Sequence, residues 1–577
     1  MQRLLLILIT LFSVQLLSAQ ALDTTQYVYP LKNVARLYSS NFGEMRSNHF
    51  HSGIDIKTDA VSGKRVVAVA DGYISRIFLS PYGFGRALYI THPNGKSSVY
   101  GHLSSFRQDI EAFVRAERYR TGSDRVNLFC SPTQYPVRQG DEIALSGNAG
   151  QSFGPHLHFE LRDTRTQRTL NTMAAGIITP NDNIPPQIVR LYYVEVDTVC
   201  GVPIHSTPRP YVVTKVNQNT YKLHTTTPVP VGRQGYFLLE ATDRKNGVAN
   251  TFGIYHITES IDGEVVYDYR MDGFLFSQTR YCNAVAYYPI QRTSRNEIFR
   301  LTQLAGNSPA LYTVMKNRAL LITTPDQQNT IRLEVQDDRG NYAQLTFTTK
   351  GSANTFQAQA DATAPIVNRS RDFVHTEDNL TVHIPKGALY ESIFYSQSRR
   401  DLPPPKDTTF RVLSPAYTVL NHNIPLHTAI TISIQTDVPA ELQAHTTLAM
   451  RSQRGRISYL GGKYDGQAVS VKTRTLGEYL VVADTLAPTI TPLFKVESDF
   501  TEKESARFRL SDNFSGLASY VATIDGRQAL IDYNCMQGVA SILLDDSICP
   551  RGRQHTIVFK ITDNCGNTSQ WKGGFYR

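Results

Sequence analysis

The stretch Gly154-Pro155-His156-Leu157-His158-Phe159-Glu160 alternates histidines with apolar residues, as a half-buried β-strand does. Side chains two positions apart leave a strand on the same face, so His156 and His158 are expected to project together. Upstream, the segment Asn48-His49-Phe50-His51-Ser52-Gly53-Ile54-Asp55 carries a second group of polar residues. On a straight strand His51 and Asp55 would lie ~13 Å apart, too far to share an ion. We therefore expect the chain to bend between them, at Gly53.

A third segment, Tyr100-Gly101-His102-Leu103, lies between these two, and six of the 15 histidines fall between positions 49 and 158. Imidazole nitrogens and carboxylate oxygens bind zinc, and a catalytic zinc site uses three protein ligands and one open position. The pattern therefore predicts a metal site. Spacing alone leaves the ligands open, because a His-x-His pair can supply two of them and His49 forms a second such pair with His51.

The three segments, in this order, resemble the lysostaphin-type (LytM-like) zinc endopeptidases. The hallmarks of that family are His-x-x-x-Asp, a histidine in a Tyr-x-His-Leu context, and His-x-His, and the resemblance covers about residues 30–175. It implies one zinc ion per chain with His51, Asp55 and His158 as ligands. It implies His102 and His156 as an unligated catalytic pair. The family pattern assigns nothing to His49 or His92, and the chain has no His-Glu-x-x-His motif.

The resemblance also implies an activity, the hydrolysis of peptide cross-links in bacterial peptidoglycan, with the peptide stems as substrate. One imidazole would accept a proton and the other would stabilise the oxyanion, and the sequence leaves open which does which. Two alternatives are a non-catalytic regulator or scaffold of cell-wall hydrolysis and a peptidase acting on extracellular protein. A biotinyl or lipoyl carrier domain lacks support, because the modified lysine at a hairpin tip is missing.

The N-terminus has the pattern of a secretory signal peptide over residues 1–21. Arg3 precedes an apolar run at 4–17, which ends in the small residues around Ala19 and Ala21. The run is shorter than the ~20 residues that span a membrane. We therefore predict an exported protein, in the periplasm or at the cell surface, without a transmembrane segment.

Charge and cysteine content restrict the partners and the redox chemistry. The net charge of +9 is spread over the chain without a basic block, so no nucleic-acid partner is implied. The six cysteines show no CxxC spacing, which argues against a thiolate metal site. In an oxidising compartment, Cys200–Cys282 and Cys535–Cys549 are the predicted pairs, and the alternative is that the cysteines are buried free thiols.

Many Tyr, Thr and Val residues among turn residues indicate a mainly β protein. Proline-led strand entries recur at 184–188, 363–366 and 486–490, and Asp/Gly/Asn turns recur at 338–341 and 563–567, a pattern that resembles bacterial immunoglobulin-like repeats. We predict an antiparallel β-sheet peptidase domain at 22–183 with a helical insertion. It is followed by one or two β-sandwich modules at 184–362, a β-sandwich module at 363–485 and an Ig-like β-sandwich at 486–577. These modules would act as spacers, or would hold peptidoglycan or an envelope protein partner.

The insertion at 105–136 is predicted to contain a helix of about 14 residues. Ser105-Phe106-Arg107-Gln108 has the form of a capping box, and Gly122 and Ser123 would end the helix. Its apolar face would consist of Phe106, Ile110, Phe113 and Val114. Its opposite face, with Arg107, Glu111, Arg115 and Arg118, is predicted to meet a peptide carboxylate at the rim of the zinc cleft; the alternative is a helix that packs away from the cleft.

Overall fold

A computed structural model describes residues 26–403, 409–495 and 498–577. It is about 47% strand and 7% helix, which confirms the prediction of a mainly β protein. The predicted signal peptide, 1–21, lies outside the described residues. Among the described residues, no helix has both the length and the apolar character needed to cross a membrane.

The N-terminal unit, residues 26–183, contains one long helix, two main antiparallel sheets and a two-stranded sheet formed by Met45–Arg46 and His49–Phe50. The larger sheet has the strand order β1-β4-β13-β8-β7-β6-β10, and the smaller one has the order β5-β12-β9. Apolar side chains such as Ile56, Leu157 and Leu161 alternate inward and are fully buried, so the intervening polar side chains occupy the other face. Helix α1 is Gln108–Thr121, and strands β1 to β14 are, in order, Tyr38–Ser40, Met45–Arg46, His49–Phe50, Ile54–Lys57, Arg65–Val67, Gly72–Leu79, Arg86–Thr91, Lys96–Gly101, Leu103–Phe106, Val126–Phe129, Pro136–Val137, Glu142–Ser146, His156–Asp163 and Thr169–Leu170.

Helix α1 has the predicted length of 14 residues and ends at Gly122, whose φ of 63° is left-handed. The predicted capping box is wrong, because β9 continues through Phe106 and the N-cap position falls on Arg107, which makes no side-chain cap hydrogen bond. Ile110 and Val114 are buried in the core, as predicted. Arg118, placed by the sequence on the exposed face, is only 2% exposed.

The first module, residues 184–362, shares its core with the N-terminal unit. One continuous cluster of buried side chains runs from Tyr27 to Phe347, and β14 pairs with β24 of this module. The predicted boundary at residue 183 is therefore crossed by a common core. Short helices α2 and α3 are Cys282–Val285 and Tyr288–Gln291, and strands β15 to β29 are Gln187–Val199, Val202–His205, Arg209–Lys215, Thr220–Leu223, Val229–Val231, Gln234–Arg244, Thr251–Phe252, His256–Ile261, Glu264–Arg270, Gly273–Phe274, Glu297–Arg300, Tyr312–Met315, Leu321–Ile322, Gln328–Gln336 and Tyr342–Gly351.

The second module, residues 363–485, packs a five-stranded sheet against a six-stranded sheet. Their buried side chains form one cluster that includes Val382 and Ile432 from one sheet and Leu448 and Tyr479 from the other. Strands β30 to β42 are Ile366–Val367, Phe373–Glu377, Leu380–Ile384, Ile393–Phe394, Gln397–Arg400, Arg411–Val412, Ala416–Val419, Ile430–Gln435, Thr446–Arg451, Ile457–Gly461, Lys463–Tyr464, Ala468–Thr473 and Glu478–Ala483.

The last module, residues 486–577, is a sandwich of two four-stranded sheets with the orders β43-β44-β48-β47 and β46-β45-β49-β50. Phe508 of one sheet and Phe559 of the other meet in its core with ring centroids 5.1 Å apart. Strands β43 to β50 are Thr489–Pro492, Ser505–Ser511, Leu517–Ile524, Arg527–Ala529, Ile531–Asn534, Val539–Leu543, Gln554–Asp563 and Thr568–Tyr576.

The last module packs against helix α1 of the N-terminal unit. The Arg118 guanidinium donates to the Ile531 carbonyl oxygen at 2.8 Å and pairs with the Asp532 carboxylate at 2.9 Å. Arg86 reaches the other oxygen of Asp532 at 3.1 Å, and Arg115 pairs with Asp545. The last module therefore covers the part of the polar face of α1 around Arg118, while Arg115 stays exposed.

Both predicted disulfides are wrong, because all six cysteines are unpaired. Cys200 lies at an exposed turn, whereas Cys282 begins the buried helix α2. Cys535 faces the N-terminal unit, where its thiol donates to the Pro81 carbonyl oxygen. Cys549 is buried within the core of the last module.

Candidate metal and catalytic centre

The register of two neighbouring strands positions the centre. In the antiparallel pair of β4 and β13, Asp55 lies directly opposite His158. His51 arrives from the bend between β3 and β4, as the sequence predicted. Gly53 serves that bend by its small size, because a Cβ there would lie 2.4 Å from the Phe159 carbonyl oxygen and 2.9 Å from His158 Nε2.

The three side chains converge on one point. His51 Nε2 and His158 Nδ1 are 3.2 Å apart, and Asp55 Oδ1 lies 3.2 Å from the first nitrogen and 3.0 Å from the second. Bonds of about 2.0–2.2 Å to a tetrahedral zinc ion place ligand atoms roughly 3.4 Å apart. The spacing of these three atoms therefore fits one metal ion held by His51, Asp55 and His158.

The remaining ring nitrogens fix which atoms face that point. His51 Nδ1 lies 2.8 Å from the Asn41 carbonyl oxygen, and because a carbonyl can only accept, this nitrogen carries the proton. His158 Nε2 lies 2.9 Å from Glu160 Oε1. In both rings the other nitrogen faces the shared point, where a metal ion would take the place of a proton; outer carboxylates and carbonyls impose this orientation on metal-binding histidines.

The electrostatics at the centre favour positive charge. Burial alone would lower the pKa of His158, but Asp55 and Glu160 raise it to about 9. Burial would raise the pKa of Glu160, but Arg162 and His158 lower it to about 2, so this carboxylate is ionised. The negative field that holds a proton on His158 would equally hold a metal cation.

His102 and His156 stand beside the three converging side chains, with their ring centroids 4.7 Å apart. Each is anchored through Nδ1, His102 to the Ala149 carbonyl oxygen and His156 to that of Gly154, both at 2.8 Å. Nε2 of each ring is therefore the basic nitrogen. Burial, followed by the neighbouring His156 and His158, lowers the pKa of His102 to about 3, so its imidazole is neutral.

The backbone of His102 is held in an uncommon conformation. Its φ of 59° is left-handed, a region that costs a non-glycine residue of order 1 kcal/mol or more. Its N–H donates to the Phe84 carbonyl oxygen at 2.9 Å, and the Phe84 ring packs on His158 at 4.9 Å. The position of this imidazole is thus fixed at both its backbone and its ring.

A cleft of about 1060 Å³ opens over these five side chains. Arg46 and the 96%-exposed Phe153 lie along it. The residues that line it include none from the 105–136 insertion, because helix α1 packs under the last module. The structure thus does not support the predicted role of that helix at the cleft rim.

Of the two histidines that the family pattern left out, His49 lies at the cleft edge, exposed, with Nδ1 near the Ser47 carbonyl oxygen. His92 is buried elsewhere, between the Asp71 carbonyl oxygen and the Ser98 hydroxyl. Neither belongs to the group of converging ligand atoms.

Sequence reasoning missed Glu160 and Arg46. Glu160 is 1% exposed and bonds His158, Ser52 and Arg162. Its position two residues after His158 on one strand was a usable signal, since both share a face. Arg46 lies 3.7 Å from Asp55 Oδ2, the oxygen that points away from the converging ligand atoms, and no sequence pattern indicated it.

Comparisons with known proteins agree with this geometry. Residues 49–119 match the model of Peptidase family M23, and residues 364–484 match that of a Zu5-like domain. The chain is 33% identical over 138 residues to an uncharacterized metalloprotease of Haemophilus influenzae, covering 23% of this chain and 24% of the relative. It is 33% identical over 130 residues to the DD-carboxypeptidase/endopeptidase Mpg of Neisseria meningitidis serogroup B, covering 22% and 24%. The chain thus spans about a quarter of the length of these relatives.

Two solved structures are also similar to the N-terminal part of the chain. One is the catalytic domain of the M23 protein EnpA from Enterococcus faecalis, at 21% identity, with 26% of this chain and 95% of that chain covered and a TM-score of 0.19. The other is the catalytic domain of lysostaphin from Staphylococcus simulans, at 22% identity, with 26% and 94% covered and a TM-score of 0.17. The family match and the sequence relatives show that the chain carries a peptidase domain of family M23, the LytM/lysostaphin family, followed by β-modules that include a Zu5-like domain.

Proposed function

We propose that this protein is an exported zinc metalloendopeptidase that hydrolyses peptide cross-links of bacterial peptidoglycan, in the periplasm or at the cell surface. The observation that carries the proposal is the convergence of His51, Asp55 and His158 within 3.2 Å of one another, beside two further imidazoles. A substrate in the cell wall is supported by the similarity to a DD-carboxypeptidase/endopeptidase.

In this proposal His51 Nε2, Asp55 Oδ1 and His158 Nδ1 hold one zinc ion. When bound, zinc polarises the scissile carbonyl and lowers the pKa of water toward ~7. Asn41 and Glu160 keep the two ring nitrogens turned to the metal, and Arg46 holds the second oxygen of Asp55 in place.

His102 and His156 provide the proton transfers and the oxyanion contact. Because Nδ1 of each ring donates to a backbone carbonyl, Nε2 of a neutral ring can accept a proton from the attacking water. The neutral state of His102, imposed by burial, suits an acceptor. After protonation, Nε2–H can donate to the developing oxyanion or to the leaving amine.

The cleft suits a peptide that carries free carboxylates. Arg46 and Lys57 both line it. Because Arg46 already pairs with Glu44 and Asp55, the Lys57 ammonium is the group that can form a charge-assisted hydrogen bond with a substrate carboxylate. The exposed ring of Phe153 offers an apolar surface beside His156. A branched peptide stem combines these charged and apolar features.

The test is to incubate the purified full-length protein with cross-linked peptidoglycan and to identify the released muropeptides by mass spectrometry. We expect cross-linked dimers to fall and monomers to rise, with each cut adding one water. The masses of the fragments identify the bond. A His51→Ala sample treated in parallel should leave the dimers intact.

Intact dimers after treatment with zinc-loaded wild-type protein would contradict the proposed activity. If the same preparation instead increased cleavage by another wall hydrolase, a regulator of that hydrolase would be favoured. Cleavage of extracellular protein substrates without cleavage of peptidoglycan would favour a protein peptidase.

A further inference from the structure

Two clusters of three aspartates occupy equivalent turns: the cluster of the first module lies at its border with the N-terminal unit, and the cluster of the last module lies at its border with the second module. One consists of Asp182, Asp243 and Asp337, and the other of Asp484, Asp512 and Asp563, and in each the ligand oxygens lie within 4.8 Å of one another. Asp337 and Asp563 each accept two backbone N–H bonds and one bond from an asparagine four residues later. The clusters are thus two versions of one arrangement.

The cluster in the first module already contains a cation. The Lys245 ammonium lies 3.2 Å from Asp182, 3.5 Å from Asp243 and 2.9 Å from Asp338. Lys245 is 2% exposed. Although burial would lower its pKa, Asp338 and Asp243 raise it above the usual value, so the ammonium is charged. Positive charge at this position neutralises the grouped carboxylates.

The cluster in the last module has no such cation. Two residues after Asp512 stands Phe514, where the first module has Lys245 two residues after Asp243. The Phe514 ring packs instead on Phe410, with centroids 4.6 Å apart. Across the described residues 26–403, 409–495 and 498–577, none of Asp484, Asp512 and Asp563 forms an ion pair with a side chain closer than 4.0 Å.

Two buried oxygens at this cluster lack partners. Asp512 Oδ1 is buried without a hydrogen bond. The hydroxyl of Ser515, a residue that is 4% exposed, lies near the Asp484 carboxylate and the Cys565 thiol but forms no hydrogen bond of good geometry. Ser515 lies against Asp484, whose carboxylate accepts its backbone N–H at 3.2 Å. Burial, together with the nearby Asp563 and Asp512, raises the pKa of Asp484, while the Ser515 side chain lowers it. Leaving such groups without partners is unfavourable, and a bound cation would provide one.

We propose that Asp484, Asp512, Asp563 and Ser515 bind one Ca²⁺ ion. The donors of the cluster itself are oxygens, of carboxylates and a hydroxyl. The neighbouring Cys565 thiol stays protonated, because burial and the three aspartates raise its pKa to about 12. The donor set therefore favours a hard cation over zinc or copper. Ca²⁺ tolerates irregular oxygen geometry, whereas Mg²⁺ demands a near-ideal octahedron. The ion would take the place that the Lys245 ammonium has in the first module.

The site lies at the junction of the second and last modules. The Asp484 backbone N–H donates to the His445 carbonyl oxygen of the second module at 3.0 Å. The Asp484 carbonyl oxygen accepts from Asn567 of the last module at 2.8 Å. An ion bound to Asp484 and to the two aspartates of the last module would therefore fix the last module relative to the second.

The test is calorimetric titration of Ca²⁺ into the full-length protein after removal of loosely held ions, with thermal unfolding measured in parallel. We expect one Ca²⁺ ion to bind and the unfolding temperature to rise with it. Asp512→Asn keeps an acceptor for the backbone N–H groups but removes the charge, and should weaken Ca²⁺ binding at least about tenfold. Asp465→Asn, at an exposed turn aspartate, is the matched control and should bind as the wild type does.

If Asp512→Asn fails to fold, Ser515→Ala tests the same site, because it removes only the hydroxyl and should also weaken binding. The proposal is overturned if the wild-type protein does not bind Ca²⁺, or if binding is unchanged in the folded Asp512→Asn or Ser515→Ala protein. Binding of Mg²⁺ with no response to Ca²⁺ would overturn the choice of ion.

Discussion

The histidine centre of the peptidase domain and the aspartate clusters of the modules each gather three ligand groups, but they are built differently. The histidine centre takes Asp55 and His158 from opposite positions on two paired strands and opens to a cleft. The aspartate cluster of the last module takes its residues from strand ends and turns, where backbone N–H groups already occupy most of the carboxylate oxygens. The first arrangement leaves room for a substrate, whereas the second joins parts of the chain.

The largest expected effect tests whether the histidine centre binds zinc. His51→Ala removes one of three ligand atoms that converge within 3.2 Å, so zinc content should fall from near one ion per chain to near zero and peptidase activity should disappear. Elemental analysis of protein purified without chelator measures the first, and muropeptide release the second. An unchanged zinc content would show that His51 is not a ligand.

The second largest expected effect distinguishes the residues that bind zinc from those that take part in the hydrolysis. His102→Ala and His156→Ala should each retain most of the zinc, because Nε2 of these rings is outside the converging ligand group. The rate should fall by about 10²–10⁴-fold through lost proton transfer. Zinc content and muropeptide release are measured on the same preparations. Loss of metal in His156→Ala, with metal retained in His158→Ala, would show that these two roles are reversed.

A third prediction sharpens the comparison between the two aspartate clusters. Lys245→Met leaves several buried carboxylates without their cation and should lower the free energy of unfolding by about 3–5 kcal/mol. If the lysine stands in for a metal ion, added Ca²⁺ should restore part of that loss. Chemical denaturation with and without Ca²⁺ measures both. A Lys245→Met protein that is destabilised but does not respond to Ca²⁺ would show that the two clusters are not equivalent.

The smallest effect concerns the contact between the last module and helix α1. Arg118→Ala should lower the free energy of unfolding by about 2–3 kcal/mol, because Asp532 keeps Arg86 as its partner. In contrast, Arg115→Ala removes an exposed ion pair and should cost about 0–1 kcal/mol. Denaturation curves give the stabilities.

The kcat and KM of the folded Arg118→Ala protein should match those of the wild type, since no residue of the 105–136 insertion lines the cleft. A changed KM would indicate that helix α1 takes part in substrate recognition.

The sequence was most informative where the geometry is local. The alternation of His156 and His158 on one strand, and the bend at Gly53, follow from strand periodicity, and the described structure contains both. The length of helix α1 followed from its apolar spacing and Gly122, whereas its start did not, because pairing of β9 with β12 extends the strand through Phe106.

Contacts between distant segments could not be predicted from the sequence. Arg118 looks like a surface residue in its own helix, and only the last module, more than 400 residues later, buries it. For the same reason, local patterns placed a boundary at 183 while the core continues across it. The predicted cysteine pairs are wrong because Cys535 contacts the N-terminal unit whereas Cys549 lies in the core of the last module. The spacing of the cysteines in the sequence does not reveal these neighbours.

The contact between Arg118 and Ile531 has a consequence for the time course of folding. Its two partners are separated by 413 positions, and a ribosome adds about 5–20 residues per second. Helix α1 is therefore synthesised at least some 20 seconds before the strands that cover it, and Arg118 stays exposed to water during that interval. The N-terminal domain can acquire its full set of contacts only after synthesis has passed residues 531–545, so chains truncated before that segment leave Arg118 without its covering strand.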